Sequence, residues 1–111
     1  MTSASGVNSQ APLRVAVAGL GGIGQTVVEA LDAGIDGCEL AAVSAKDKPK
    51  AAQRLKHLER QVPVVDIAAL EPLADIVVEC APADLFPAIA APFLSAGKTV
   101  IALSSGAILS N

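Results

Sequence analysis

Arg14-Val15-Ala16-Val17-Ala18-Gly19-Leu20-Gly21-Gly22-Ile23-Gly24 is the stretch on which the fold turns. Its first half is a short apolar run with no polar alternation, the pattern of a strand buried on both faces. Its second half reads G-x-G-x-x-G. From Gly22 to Ala33 the period changes to that of a helix, with Ile23, Val27 and Leu31 recurring every four residues. Gly34 then supplies a stop. A strand, a glycine turn and a helix in this order are the context in which the glycine pattern carries meaning. Gly19 allows the tight turn, Gly21 lets a ligand approach the backbone closely, and Gly24 lets helix and strand pack together. The unpartnered N–H groups of Gly22, Ile23 and Gly24 at the helix start, with the helix dipole, favour a pyrophosphate.

The rest of the chain continues the alternation. Glu39 to Ser44 is expected as a second strand. A second helix starts with Pro49 at its first position and carries an apolar stripe of Ala52, Leu55 and Leu58. Val62 to Val65 is a third strand, and Asp66 caps one or two helical turns reaching Leu73. Asp75 to Glu79 is a fourth strand. Asp84 to Ala96 is helical, with Pro92 expected to kink or split it. Gly97 ends that helix, and Thr99 to Leu103 is a fifth strand. Such alternation specifies an α/β fold, a doubly wound parallel sheet of the Rossmann type with strand order 3-2-1-4-5. Residues 1–12 are small and polar and are expected as a disordered tail; residues 13–111 form the single domain.

Composition narrows the function. Of 111 residues, 52% are hydrophobic but only two are aromatic, Phe86 and Phe93, so the core is built from small aliphatic side chains. A net charge of −3 opposes nucleic acid as a partner. No apolar run is long enough to span a membrane, and the first dozen residues read as a tail rather than a signal peptide. Cys38 and Cys80 have no paired spacing and read as reduced thiols of a cytoplasmic protein.

A dinucleotide site of this kind places a carboxylate about 20 residues beyond the glycines, at the end of the second strand. That position is Ser44, within Ser44-Ala45-Lys46-Asp47-Lys48. A hydroxyl and a nearby lysine suit a 2′-phosphate, and a charge-assisted hydrogen bond contributes on the order of 1.5–3 kcal/mol. NADP is therefore expected ahead of NAD, with Asp47 turning inward as the route by which NAD would be served. The far side of the site is expected at the ends of strands four and five, Cys80-Ala81-Pro82 and Ser104-Ser105-Gly106. Cys80 has no neighbouring base that would make it a nucleophile. His57, the single histidine, belongs to the polar second helix and reads as a solvated surface residue. No catalytic set and no metal-ligand cluster is visible.

Three segments together resemble the N-terminal domain of L-aspartate dehydrogenases: RVAVAGLGGIGQTVVEAL (residues 14–31), LAAVSAKDKPKA (40–51) and ADIVVECAPADLFPAIAAPFLSAGKTVIALSSGAIL (74–109). Homoserine dehydrogenases and the glucose–fructose oxidoreductase group show related patterns. The resemblance implies an oxidoreductase that passes hydride from the amine carbon of L-aspartate to NAD(P)+, giving iminoaspartate and then oxaloacetate and ammonia. It also implies that the catalytic histidine and the amino-acid pocket belong to a second domain, absent from this chain. The expected polypeptide is thus a truncated, cofactor-binding part with no catalytic residue of its own. The fifth strand would then lie at an open sheet edge, with Val100, Ile101 and Leu103 recruiting a second copy into a homo-oligomer. The competing expectations are a stand-alone NAD(P)-sensing domain and a dehydrogenase or reductase for a sugar or semialdehyde.

Overall fold

The computed structural model describes residues 11–81, 83–103 and 107–110, with Ala83 and the last four described by backbone alone. Five parallel strands run in the order β3-β2-β1-β4-β5: β1 Leu13–Ala18, β2 Cys38–Ser44, β3 Val64–Val65, β4 Ile76–Glu79 and β5 Thr99–Ala102. The helices are α1 Gly22–Ala33, α2 Lys48–Arg54 and α3 Phe86–Ser95. The doubly wound architecture expected from the alternation is the one observed.

Both faces of the sheet are covered, which explains the unbroken apolar strands. On one face, Val15 and Val17 of β1 pack with Leu40, Val43 and residues of α1 and α2. On the other, Ala16, Ala18 and Ala42 face Phe93 and Ile89 of α3. The alanines on that side leave room for the phenyl ring, so the large and small positions complement each other across the layer. An irregularity between Val15 and Ala16 in the β1–β2 register skips one residue of β2 and brings Ser44 opposite Ala18. That places the ends of these two strands side by side below the glycine loop.

Several expectations are corrected. The packed face of α1 is Gly24, Val28 and Leu31, whereas Ile23 is 62% exposed. Glycine has no side chain to register in an apolar pattern, yet Gly24 is where helix and strand come closest. In α2 the buried position is Ala51 and Ala52 is exposed; the helix stops at Arg54, so Leu55 and Leu58 reach the core from the following turns. His57 accordingly lies beyond the helix. Asp66 makes no capping hydrogen bond to the short 3₁₀ turn Ile67–Ala69 and instead pairs with Lys48 at 2.5 Å.

Pro92 neither splits nor ends α3. The hydrogen bond its ring removes is the one to the carbonyl of Ala88, an exposed position where water can take the donor's place. The fifth strand is not an open edge either. A sixth strand, β6 Ala107–Ser110, pairs antiparallel with β5, from Thr99 opposite Ser110 to Ala102 opposite Ala107. The premise for self-association through Val100, Ile101 and Leu103 is therefore lost, because β5 has a hydrogen-bonded neighbour on each side.

Candidate functional site

The cleft is organised by the turn out of β1. The Gly19 N–H donates to the Ser44 carbonyl at 2.9 Å, and the Cys80 N–H donates to the Ala18 carbonyl at 2.8 Å. Gly19 has φ +99°, and a Cβ there would sit 2.9 Å from the Cα and N of Ala81. A Cβ on Gly24 would sit 2.0 Å from the Gly19 carbonyl oxygen. These two glycines thus hold the turn, the helix and the β4 end in contact. Gly21 and Gly22 differ: a Cβ at either would meet nothing within 4 Å. Open space lies over the backbone at the point where α1 begins. Gly21 is the N-cap of α1, with no side-chain cap and no acidic residue in the first turn. The leading N–H groups and the positive end of the helix dipole are therefore available to an anion.

A cleft of about 740 Å³ opens here. It brings together Gly19, Gly21, Ser44, Ala45, Lys46, Cys80 and Ala81 from the expected set. Gly22 and Ile23 lie on the exposed start of α1, and Gly24 lies buried behind the loop. Pro82, Ser104, Ser105 and Gly106 lie outside the described residues.

At the β2 end, Ser44 is buried and Lys46 is exposed. Asp47, the carboxylate considered as an alternative ribose partner, accepts a hydrogen bond from the Lys50 N–H at 3.1 Å and caps α2. Lys48 is paired with Asp66. Among the described residues Lys46 and Lys50 form no ion pair. Two residues of this end escaped the sequence reading. Lys50 and Arg54 are four apart on α2, flanking the buried Ala51, and both line the cleft. Their spacing was the available signal, since residues i and i+4 share a helix face. Arg54 also donates from Nη1 to the Leu20 carbonyl at 2.8 Å.

Cys80 is half-buried, and burial, followed by the nearby Glu79, pushes its thiol up to about 11. It stays protonated near neutrality, as a packing residue would. Glu79 itself is fully buried at the end of β4. His57 is exposed and lies 3.3 Å from Glu29, on the outer surface. No group of three or more His, Cys, Asp or Glu residues is placed to hold a metal ion among the described residues. There too, no helix is long and apolar enough to cross a membrane.

Comparison with known proteins gives the following. Residues 19–111 match the family described as homoserine dehydrogenase, NAD binding domain. The chain is 48% identical over 104 residues to L-aspartate dehydrogenase 3 of Bordetella bronchiseptica, covering 93% of this chain and 38% of that protein. It is 44% identical over 99 residues to L-aspartate dehydrogenase of Bradyrhizobium diazoefficiens, covering 89% of this chain and 35% of that protein. Among solved structures, biliverdin reductase from Synechocystis sp. PCC 6803, in complex with biliverdin and NADP+, superimposes with a TM-score of 0.69 at 27% identity. That similarity covers 80% of this chain and 28% of the other. The chain spans just over a third of the length of the curated relatives it matches.

Proposed function

The chain belongs to the family of homoserine dehydrogenase NAD-binding domains, and from that premise we propose that its cleft holds NADP(H) in preference to NAD(H), in the service of an L-aspartate dehydrogenase. The residues fit the group. The space over Gly21 and Gly22 is of the kind a pyrophosphate needs, and a Cβ would fill it. The N–H groups of Gly21, Gly22 and Ile23 would receive the pyrophosphate, with Gly24 packing the helix start behind them. Ser44, Ala45 and Lys46 would receive the adenosine ribose. Cys80 to Pro82 and Ser104 to Gly106 would flank the nicotinamide half. When bound, the cofactor supplies the hydride acceptor for oxidation of an amine carbon. What this chain contributes is binding, orientation and exclusion of water.

The observation that carries the NADP preference is the engagement of Asp47 as the cap of α2. A ribose diol needs an acceptor at this end; one oxygen of Asp47 is already turned to the Lys50 N–H at the start of α2, and Asp66, which also lines the cleft, is paired with Lys48. A 2′-phosphate needs donors and positive charge instead, and Ser44, Lys46 and Lys50 supply them. Exposed charge pairs contribute only about 0.2–1 kcal/mol each, and a neutral hydrogen bond about 1 kcal/mol. Together they support roughly a 10-fold preference. Calorimetric titration of the chain with NADP+ and NAD+ tests this, and tighter binding of NAD+ refutes it.

The substrate assignment is supported by the aspartate dehydrogenase relatives, at 44 to 48% identity. Its test is NAD(P)H formation by a protein that carries this domain, with L-aspartate, L-homoserine and a hexose offered in parallel. Turnover of either competitor with none of L-aspartate would refute it.

A further inference from the structure

Arg54 stands where α2 meets the glycine loop, 34 residues away in sequence from the carbonyl it holds. The residue it grips, Leu20, is the one member of Gly19-Leu20-Gly21-Gly22 that has a side chain. That side chain is buried in the same apolar cluster as Ala51, Leu55 and Leu58. Leu20 is thus held by α2 and its following turn twice, through its isobutyl group and through its carbonyl oxygen. The residues on either side are glycines, whose backbone angles are the least restricted.

The carbonyl of Leu20 and the N–H of Gly21 belong to one planar, trans peptide. Fixing the direction of the first fixes the second in the opposite direction. A rotation of this peptide is cheap when the following residue is glycine, and it would exchange the two groups. An anion at the start of α1 would then face a carbonyl oxygen in place of an N–H. We propose that Arg54 is a positioning residue for the pyrophosphate-binding loop: it locks the Leu20–Gly21 peptide in the orientation that turns an N–H toward the phosphates. Its charge serves the loop through the carbonyl it holds, with no direct contact to the ligand. This inference rests on the dinucleotide reading of the cleft.

The test uses Arg54→Met and Arg54→Lys with two probes. ADP carries the pyrophosphate, while adenosine 2′-monophosphate engages the Ser44–Lys50 end alone. Arg54→Met is expected to weaken ADP about 10-fold, the worth of one charge-assisted hydrogen bond at its lower bound, and to change adenosine 2′-monophosphate less than 2-fold. Arg54→Lys, which keeps a donor for the carbonyl, is expected to restore most of the ADP affinity. In the ligand-free chain, the Leu20–Gly21 peptide is expected to gain freedom in Arg54→Met, read as lower 15N order parameters or exchange broadening at Gly21 and Gly22. Equal weakening of both probes, unchanged ADP binding, or unchanged backbone dynamics at these glycines overturns the proposal. A wild type that binds neither probe overturns the dinucleotide reading itself, a result distinguishable from failure of the variants.

Discussion

Gly21 and Gly24 are three residues apart and are expected to fail in opposite ways when given a methyl group. In Gly24→Ala the new Cβ would lie 2.0 Å from the Gly19 carbonyl oxygen. A contact of that length must open by about 1 Å, which means moving α1 off the sheet along the face that buries Val28 and Leu31. Overpacking of this kind costs about 1–3 kcal/mol. The better helix propensity of alanine returns up to about 1 kcal/mol. A net loss of about 1–2 kcal/mol lowers Tm by about 5–15 °C in a domain of this size. In Gly21→Ala the backbone already has φ −88° and ψ −159°, angles open to alanine, and nothing lies within 4 Å. Loss of the N-cap preference, about 0.5–1 kcal/mol, is offset by about 0.4–1 kcal/mol from the stiffer unfolded chain. Tm should stay within about 3 °C of wild type. The methyl would occupy the cradle and separate the pyrophosphate from at least one N–H. Losing one charge-assisted bond weakens NADP+ about 10- to 150-fold. Thermal melts and calorimetric titration of both variants decide the matter. A stable Gly24→Ala would refute the packing argument, and a Gly21→Ala that binds NADP+ as wild type does would refute the placement of the phosphates.

Two further outcomes concern the opposite end of the sheet. Asp75 accepts from the Arg14 side chain and from its backbone N–H, and the Arg14 guanidinium bonded to it holds its carboxyl below the usual range. Its stabilising effect is present above the unfolded carboxylate pKa, about 4, and fades as pH falls through the lower folded value. The Tm difference between wild type and Asp75→Asn should thus be largest near neutrality and shrink below about pH 4; a difference constant from pH 7 to 2 would count against it. Lys98 donates to the carbonyls of Glu71 and Ala74 and to the Glu71 carboxylate, at 2.8, 2.9 and 2.7 Å. Lys98→Met should cost about 1.5–3 kcal/mol while leaving NADP+ affinity intact, since Lys98 precedes β5 and the cleft lies past the strands' other ends. A weakened affinity at unchanged Tm would reverse that assignment.

The legible parts of the fold are those punctuated by residues with restricted or special backbones. The bounds of α1 could be read because Gly22 opens it and Gly34, at φ +117°, closes it. The order of the parallel strands followed from the alternation of elements, because crossover handedness leaves few topologies. What an apolar count cannot show is a packed glycine, and so Ile23 was assigned to a face that belongs to Gly24. The sixth strand was missed for a different reason. An antiparallel return needs no crossover helix, so Ala107–Ser110 starts only five residues after Ala102, too near β5 for the spacing that set off the parallel strands.

The site divides along the same line. Gly19, Gly21, Ser44 and Lys46 line the cleft, and their place there could be read from the glycine pattern, the count of about 20 to Ser44 and the lysine two residues on. The spacing from Lys50 could have put Arg54 on the cleft side of α2, but its role could not be read, because its partner is a backbone carbonyl, and a carbonyl leaves no trace in the sequence. Yet the interaction follows from the motif's own weakness. A loop of glycines can approach a phosphate closely only because it lacks side chains, and for that reason it cannot anchor itself. Its orientation must come from elsewhere in the fold, and α2 is the element whose end lies against Leu20. The strand–loop–helix pattern that names the ligand class is therefore incomplete as a binding site until the second helix is folded against it. A destabilised α2, as in Asp47→Ala with its cap to Lys50 lost, should weaken pyrophosphate binding as well as binding at the ribose.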